Sequence, residues 1–220
     1  SAAPIMSIDG EITGAVLVFR DVSEEKKRLE EIEYLSYHDH LTGLHNRRYF
    51  EKKREELDDF RDLSVSIIMA DLDGLKLVND TFGHATGDRL LRKVAQILKS
   101  TCRGDEIIAR WGGDEFVVLM PRTGPEDAES VIREIKGDNT AMDKSGLRVS
   151  VSLGCAVKET MERNIRAVLR EAEGNMYQQK LLDGKSYRNA IINTLLATLY
   201  EKSTETEGHS KRMEAYCHFI

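Results

Sequence analysis

The apolar positions of this chain fall into short continuous runs and into stripes spaced three and four residues apart. Ser64-Val65-Ser66-Ile67-Ile68-Met69-Ala70 is a buried-strand run that ends in Asp71-Leu72-Asp73. Ile107 and Ile108 lead into Trp111-Gly112-Gly113-Asp114-Glu115, and Val117, Val118 and Leu119 lead out, which predicts a tight hairpin over residues 106–120. Leu147 to Val157 alternates and predicts a further strand. Leu90, Leu91, Val94, Ala95, Ile97 and Leu98 form one helical face, with Asp88 at its start. Pro125 opens a helix striped by Ala128, Val131, Ile132 and Ile135. Asn164 to Lys180 is helical, with Ile165, Val168, Leu169, Ala172 and Met176 facing inward. Between these, Gly74 to Asp80 reads as a short helix and Thr81 to Asp88 as a polar loop.

The N-terminal part has a different texture. Ile12 to Val22 reads as a strand following an Asp9-Gly10 turn, and one hairpin is marginal by itself. Asp21 and Glu24 have the spacing of a capping box for a helix over Ser23 to Tyr37, whose only apolar seam is Leu29, Ile32 and Leu35. Such a helix is either a solvated linker or one strand of a coiled coil. Asp39 or Thr42 can start a turn, and Asn46 can cap a helix from Arg47 to Phe60. The resulting order β-α-α-β-β-α-β-α predicts an α/β (α+β) domain: a mixed central sheet with surrounding helices in a ferredoxin-like palm, preceded by the linker helix. Ala190 to Tyr200 adds an apolar helix pattern, followed by a polar stretch.

Composition narrows the partners. The 220 residues are 40% hydrophobic and 32% charged, with a formal net charge of −6. That balance describes a globular chain and argues against DNA or RNA binding through a broad basic face. No apolar run reaches the roughly 20 residues of a membrane span, so no membrane contact by this stretch is expected. Cys102, Cys155 and Cys217 are odd in number and far apart. They suit a reducing compartment, and the expectation is cytoplasmic.

The chemistry collects in few places. Asp71 ends a central strand, where metal and ligand contacts are common in α/β sheets. Asp114 and Glu115 sit at the mouth of a hairpin, where adjacent carboxylates can seat a hard cation or simply be solvated turn residues. With Lys76 and Lys180 they could surround a metal-dressed anionic ligand, the parts that phosphoryl and nucleotidyl transfer require.

Asp39-x-Leu41-Thr42-x-Leu44-x-Asn46-Arg47-Arg48, Asp71-x-Asp73-x-x-Lys76-x-x-Asn79-Asp80, Gly83-His84-x-x-Gly87-Asp88 and Arg110-x-Gly112-Gly113-Asp114-Glu115-Phe116 occur in this order. Ser152-x-Gly154 and Ala172-x-x-x-Met176-Tyr177-x-x-Lys180 continue the pattern, which resembles the GGDEF domain of diguanylate cyclases over about residues 35–188. The resemblance implies condensation of two GTP substrates into the product cyclic di-GMP by a homodimer with Mg²⁺ (or Mn²⁺). It implies metal contacts from Asp71, the Leu72 carbonyl, Asp114 and Glu115, and nucleotide contacts from Asn79, His84, Asp88 and Lys180. Asp114, Glu115 and Lys76 would be catalytic; which acid takes the proton from the attacking hydroxyl stays open. The family's inhibitory product site, Arg-x-x-Asp, becomes Arg103-Gly104-Asp105-Glu106 here, which implies weakened product inhibition. After Lys180 the family's Lys-x-x-Gly-Arg becomes Lys180-Leu181-Leu182-Asp183-Gly184-Lys185, and lysine cannot replace arginine's bidentate fork.

Two weaker resemblances flank the domain. Residues 1–22 resemble the end of a PAS sensor domain, and Thr206-x-Gly208-His209-Ser210-x-Arg212 is similar to the start of an HD-GYP phosphodiesterase domain. The expected organisation is residues 1–22 PAS-like end, 23–37 linker helix, 38–188 GGDEF domain, and 189–220 truncated HD-GYP-like start. An alternative function is a GTP-binding regulatory module without turnover that controls the adjoining phosphodiesterase. A dimerisation spacer would suit the linker helix but leaves the acids without a role.

Overall fold

The structure is a computed structural model that describes residues 2–17, 21–58, 64–102, 104–138, 149–160, 163–182 and 192. Two compact units divide at Ser36 and Tyr37. In the first unit, β1 (Ala2–Met6) and β2 (Ile12–Leu17) pair as an antiparallel hairpin. Most of α1 (Ser23–Tyr37) follows, with no buried residue, and the Asp21 carboxylate accepts the Ser23 N–H at 2.9 Å. The predicted helix is therefore present at its predicted bounds, and β1 is an element that the hydrophobic pattern did not reveal.

The second unit is built on a five-stranded sheet in the order β3 (His45–Asn46), β5 (Ile107–Arg110), β6 (Glu115–Pro121), β4 (Val65–Leu72), β7 (Val151–Lys158). All neighbours are antiparallel except β3 and β5. Without β3, a two-residue edge strand that the sequence does not announce, the remaining order is that of the expected ferredoxin-like palm.

Helices cover both faces, so β4 and β6 read as continuous apolar runs with sides assigned by period two. Ile68, Ala70 and Leu72, with Phe116, Val118 and Met120, face one core cluster. That cluster is closed by α4 (His84–Thr101) and α5 (Pro125–Asp138). Val65, Ile67 and Met69, with Val117 and Leu119, face the other. There they meet α2 (Arg47–Asp58) and α6 (residues 165–182), through Phe50, Leu57, Ile165, Val168, Leu169, Ala172 and Met176. Asn46 caps α2 as expected, its Oδ1 accepting the Tyr49 N–H at 3.1 Å. Asn164 Oδ1 does the same for Ala167 at 2.8 Å, starting α6. Gly154 lets α6 lie against β7: a Cβ there would stand 2.0 Å from the Met176 nitrogen. The Lys180 end of α6 is thereby held close to the sheet.

Two expectations change. Thr81 to Asp88 is not a loop: α3 runs over Leu75–Phe82 and α4 begins at His84. Only Gly83 breaks the helices, at φ 81° and ψ 157°, a conformation that side chains other than glycine's rarely adopt. Polar composition suggests a loop because Thr81, Gly83, His84 and Ala85 are exposed at the helix junction, while the buried Thr86 and Gly87 carry no apolar side chain to mark the helix. The hairpin is also wider than a tight turn, with Trp111 to Asp114 outside both strands. Neither Gly112 nor Gly113 has positive φ. Among the described residues no helix is long and apolar enough to cross a membrane. The apolar pattern over Ala190 to Tyr200 and the polar tail beyond it lie outside the described residues, Ile192 excepted.

Candidate nucleotide and metal site

The strand alternation that buries Met69 against α6 carries Asp71 to the same side, two residues further along β4. In register, Asp71 lies between Glu115 on β6 and Ser152 on β7. Its residue is 3% exposed. Oδ2 accepts a hydrogen bond from Lys180 Nζ at 2.7 Å, while Oδ1 is buried with no hydrogen-bond partner. Burial pushes the Asp71 carboxyl from 3.8 up to about 6; the Lys180 hydrogen bond opposes this and the Asp114 charge adds to it. An ion pair would ordinarily pull the acid down. Burial prevails here because Lys180, 37% exposed, still keeps part of its hydration.

Asp73, two residues on, is accounted for differently. Its carboxylate accepts the Ser150 and Ser152 hydroxyls at 2.6 and 2.7 Å, and its N–H donates to the Ser150 carbonyl at 2.9 Å. It locks the end of β4 to the start of β7, with each of its two oxygens accepting one serine hydroxyl.

The acidic turn is held from behind. Arg110 donates to the Gly112 and Gly113 carbonyls at 3.2 and 2.7 Å, and to both Asp39 oxygens at 3.2 Å. Asp39 also accepts the Thr42 N–H and hydroxyl at 2.9 and 2.7 Å. Burial raises the Asp39 carboxyl, but the Thr42 and Arg110 hydrogen bonds outweigh it and hold the group below its ordinary value. The Leu72 N–H donates to the Asp114 carbonyl at 2.9 Å, so the turn backbone is tied directly to β4. The Asp39–Arg110 staple was not assigned from sequence. Its signal was there, since both residues stand in the quoted motifs without a chemical role.

The remaining predicted residues are placed as follows. Asn79 lies on α3 with Oδ1 buried and without a partner, and it rests on Gly87 of α4. A Cβ at Gly87 would come within 2.0 Å of that oxygen, so glycine is what lets the two helices present Asn79 here. A buried acceptor left without a donor costs about 1–3 kcal/mol, which a ligand donor would recover. Asp88 follows Gly87 and is half-buried; His84, at the start of α4, and Lys76, in the first turn of α3, are exposed. The structure thus joins Lys180 to Asp71 and leaves Lys76 without an ion pair among the described residues. Glu115 is half-buried at the start of β6. Glu106 Oε2 turns back to accept the Gly104 N–H at 2.6 Å, and Arg103 lies outside the described residues.

The donor set fits a hard divalent ion. Asp71 offers a buried, unpartnered carboxylate oxygen beside the Asp114 charge. Among the described residues no group of three or more His, Cys, Asp or Glu could hold a metal by itself. One or two carboxylates completed by ligand phosphates is the usual arrangement for Mg²⁺.

A mixed sheet of palm order, with carboxylates at the end of its central strand, has the palm-like fold of the nucleotidyl cyclases. The family model for the diguanylate cyclase GGDEF domain matches residues 36–186, and the chain belongs to that family. It is 34% identical over 168 residues to the diguanylate cyclase DgcM of Escherichia coli K12, covering 74% of this chain and 40% of that protein. It is 36% identical over 167 residues to the response regulator PleD of Caulobacter vibrioides NA1000, covering 72% and 36%. Among solved structures, the coiled coil and GGDEF domain of DgcB from Caulobacter crescentus, in complex with c-di-GMP, superposes with a TM-score of 0.68 at 25% identity. That match covers 72% of this chain and 88% of the DgcB chain. The chain spans less than half the length of DgcM or PleD.

Proposed function

We propose that this chain is a diguanylate cyclase module that condenses two GTP into cyclic di-GMP and two diphosphates. The observation that carries the reading is the buried, unpartnered Oδ1 of Asp71, a residue that pairs with Lys180 and lies opposite Glu115 in the sheet. Mg²⁺ (or Mn²⁺) would be held by Asp71, the Leu72 carbonyl, Asp114 and Glu115, and when bound it would neutralise phosphate charge. Asn79 and Asp88 bind the guanine; an aspartate can accept from N1–H and N2–H together. His84 lies beside the nucleotide, while Lys76 and Lys180 balance phosphate charge. The 3′-hydroxyl oxygen of one GTP attacks the α-phosphorus of the other, the bond to diphosphate breaks, and the hydroxyl proton passes to Asp114 or Glu115. Arg110 and Asp39 act as positioning residues by holding the turn that carries those acids.

The reaction needs two domains facing each other. Leu29, Ile32 and Leu35 are 61%, 63% and 61% exposed, an uncovered seam on α1 suited to pairing with the same helix of a second copy. The PAS-like reading of residues 1–22 and the HD-GYP-like reading of residues 189–220 place this module between a sensor and a hydrolase. Arg103 and Glu106 would form at most a weak product site, since Glu106 is engaged within its own loop.

The test is chromatography of GTP incubated with the chain and Mg²⁺, beside Asp114→Ala and Glu115→Ala. Cyclic di-GMP from the parent and none from either variant is expected. GTP bound but unconverted, even at protein concentrations that pair α1, would make the chain a nucleotide-sensing module instead.

A further inference from the structure

A cleft of about 310 Å³ opens between α2 and α6, away from every residue assigned to the nucleotide. Four arginines line it: Arg47 and Arg54 from one wall, Arg166 and Arg170 from the other. Only two acids, Glu51 and Glu173, share the lining. Arg54 is already committed, donating to Glu51 at 2.8 Å and lying 3.7 Å from Asp58. Arg166 and Arg170 are exposed and have no carboxylate partner among the described residues. They stand one helical turn apart, a like-charge spacing that disfavours the helix by a few tenths of a kcal/mol. Arg47 lies over Trp111, its guanidinium carbon 4.1 Å from the ring centroid, and has no carboxylate partner among the described residues.

The floor is apolar. Leu169 is buried, and Trp111 packs edge-on against Phe50 with centroids 5.3 Å apart. Cation-rich walls over an apolar floor strengthen charge-assisted hydrogen bonds, and guanidinium forks match phosphate oxygens bidentately. The volume is at the small end of ligand pockets, which favours a compact anion over a segment of a partner protein.

We propose that this cleft binds a small diphosphate-bearing anion, with Arg47, Arg166 and Arg170 as its ligands. Its occupant would be felt at the acidic turn. The Trp111 N–H donates to the Glu115 carbonyl at 2.8 Å and Gly112 follows directly, so a pull on Arg47 loads the residue at the root of that turn. The site stands apart from the cyclase reading, because none of its lining residues belongs to the nucleotide site.

Trp111 is the single tryptophan, so its emission reports on the cleft. The full chain is titrated with inorganic pyrophosphate, and separately with GDP, in EDTA at constant ionic strength, with calorimetry on the same samples. Saturable binding of pyrophosphate is expected. It should weaken by about tenfold or more in the Arg166→Gln/Arg170→Gln double variant, a loss of ~1.4 kcal/mol, and stay unchanged in Lys180→Gln. Both arginines are exposed, and an unaltered circular dichroism melt confirms that the double variant folds. Equal binding of GDP would show that the diphosphate group alone is read; binding of pyrophosphate only would restrict the site to the free anion, and both results support it. No saturation at millimolar pyrophosphate, equal affinity in the double variant, loss in Lys180→Gln, or binding of GDP without pyrophosphate would each overturn the proposal. Failure of the cyclase reading would appear in GTP turnover and leave this titration untouched.

Discussion

Replacing Asp71 by asparagine removes a carboxylate that the fold holds at a cost. The Asp71 carboxyl moves from 3.8 to about 6 on folding. At about 1.4 kcal/mol per pH unit, the ionised form is roughly 3 kcal/mol less favourable in the folded chain than in the unfolded one. The folded value lies above the unfolded one, so the favourable contribution of the protonated group is complete below pH 3.8 and is lost as pH rises through 6. Asparagine is close in shape to the protonated acid and does not titrate. Urea unfolding in EDTA should therefore show Asp71→Asn matching the parent near pH 4 and exceeding it by up to about 3 kcal/mol at pH 8. Lys180 can regain hydration after losing its partner, because it is 37% exposed. Taking the difference between the two proteins at each pH cancels the other titrating groups they share. A difference independent of pH, or an asparagine variant less stable than the parent at pH 8, would refute the reasoning. GTP turnover should disappear in the same variant: the residue that weakens the fold is the one proposed to hold the metal.

Gly87→Ala places a methyl group 2.0 Å from Asn79 Oδ1. Steady-state kinetics should show KM for GTP rising by about tenfold with little change in kcat, since a guanine contact is displaced while the acids stay in place; an unchanged KM would remove Asn79 from the guanine site. Arg110→Lys cannot reach Asp39 and two turn carbonyls together, so urea unfolding should show a loss of about 1–3 kcal/mol, with turnover falling and KM for GTP unchanged. Wild-type stability and turnover would mean that the staple is incidental to the turn.

Much of the fold is legible along the chain because both sheet faces are covered. The run from Val65 to Leu72 and the stripes of α4, α5 and α6 read directly as a buried strand and amphipathic helices. Asp71 stood out as a charge ending an apolar run, and Asp114-Glu115 as acids on a hairpin. Thr81 to Asp88 carries no helical stripe, because its exposed positions are polar and its buried ones are Thr86 and Gly87, so the pattern does not distinguish this helix junction from a loop. The strand β3 was not visible because its two residues are held by pairing with β5, at His45 to Ala109 and Asn46 to Arg110.

Local pattern determined most of the strands and helices of this protein, β1, β3 and the junction of α3 with α4 excepted, since burial imposes a period of two or of 3.6 on whatever it covers. Motif spacing picked out the candidate site residues. Only the tertiary structure decided which of them meet. Asp39 and Arg110 are 71 positions apart, and Asp71 and Lys180 are 109 apart. Neither pair leaves a local periodic trace, because each is created when the sheet forms. The same closure left Asp71 Oδ1 and Asn79 Oδ1 buried without partners while it satisfied Asp73 through two serines. A linear pattern marks all of these as polar residues; the packing around each one separates the structural lock from the atoms left open to a ligand.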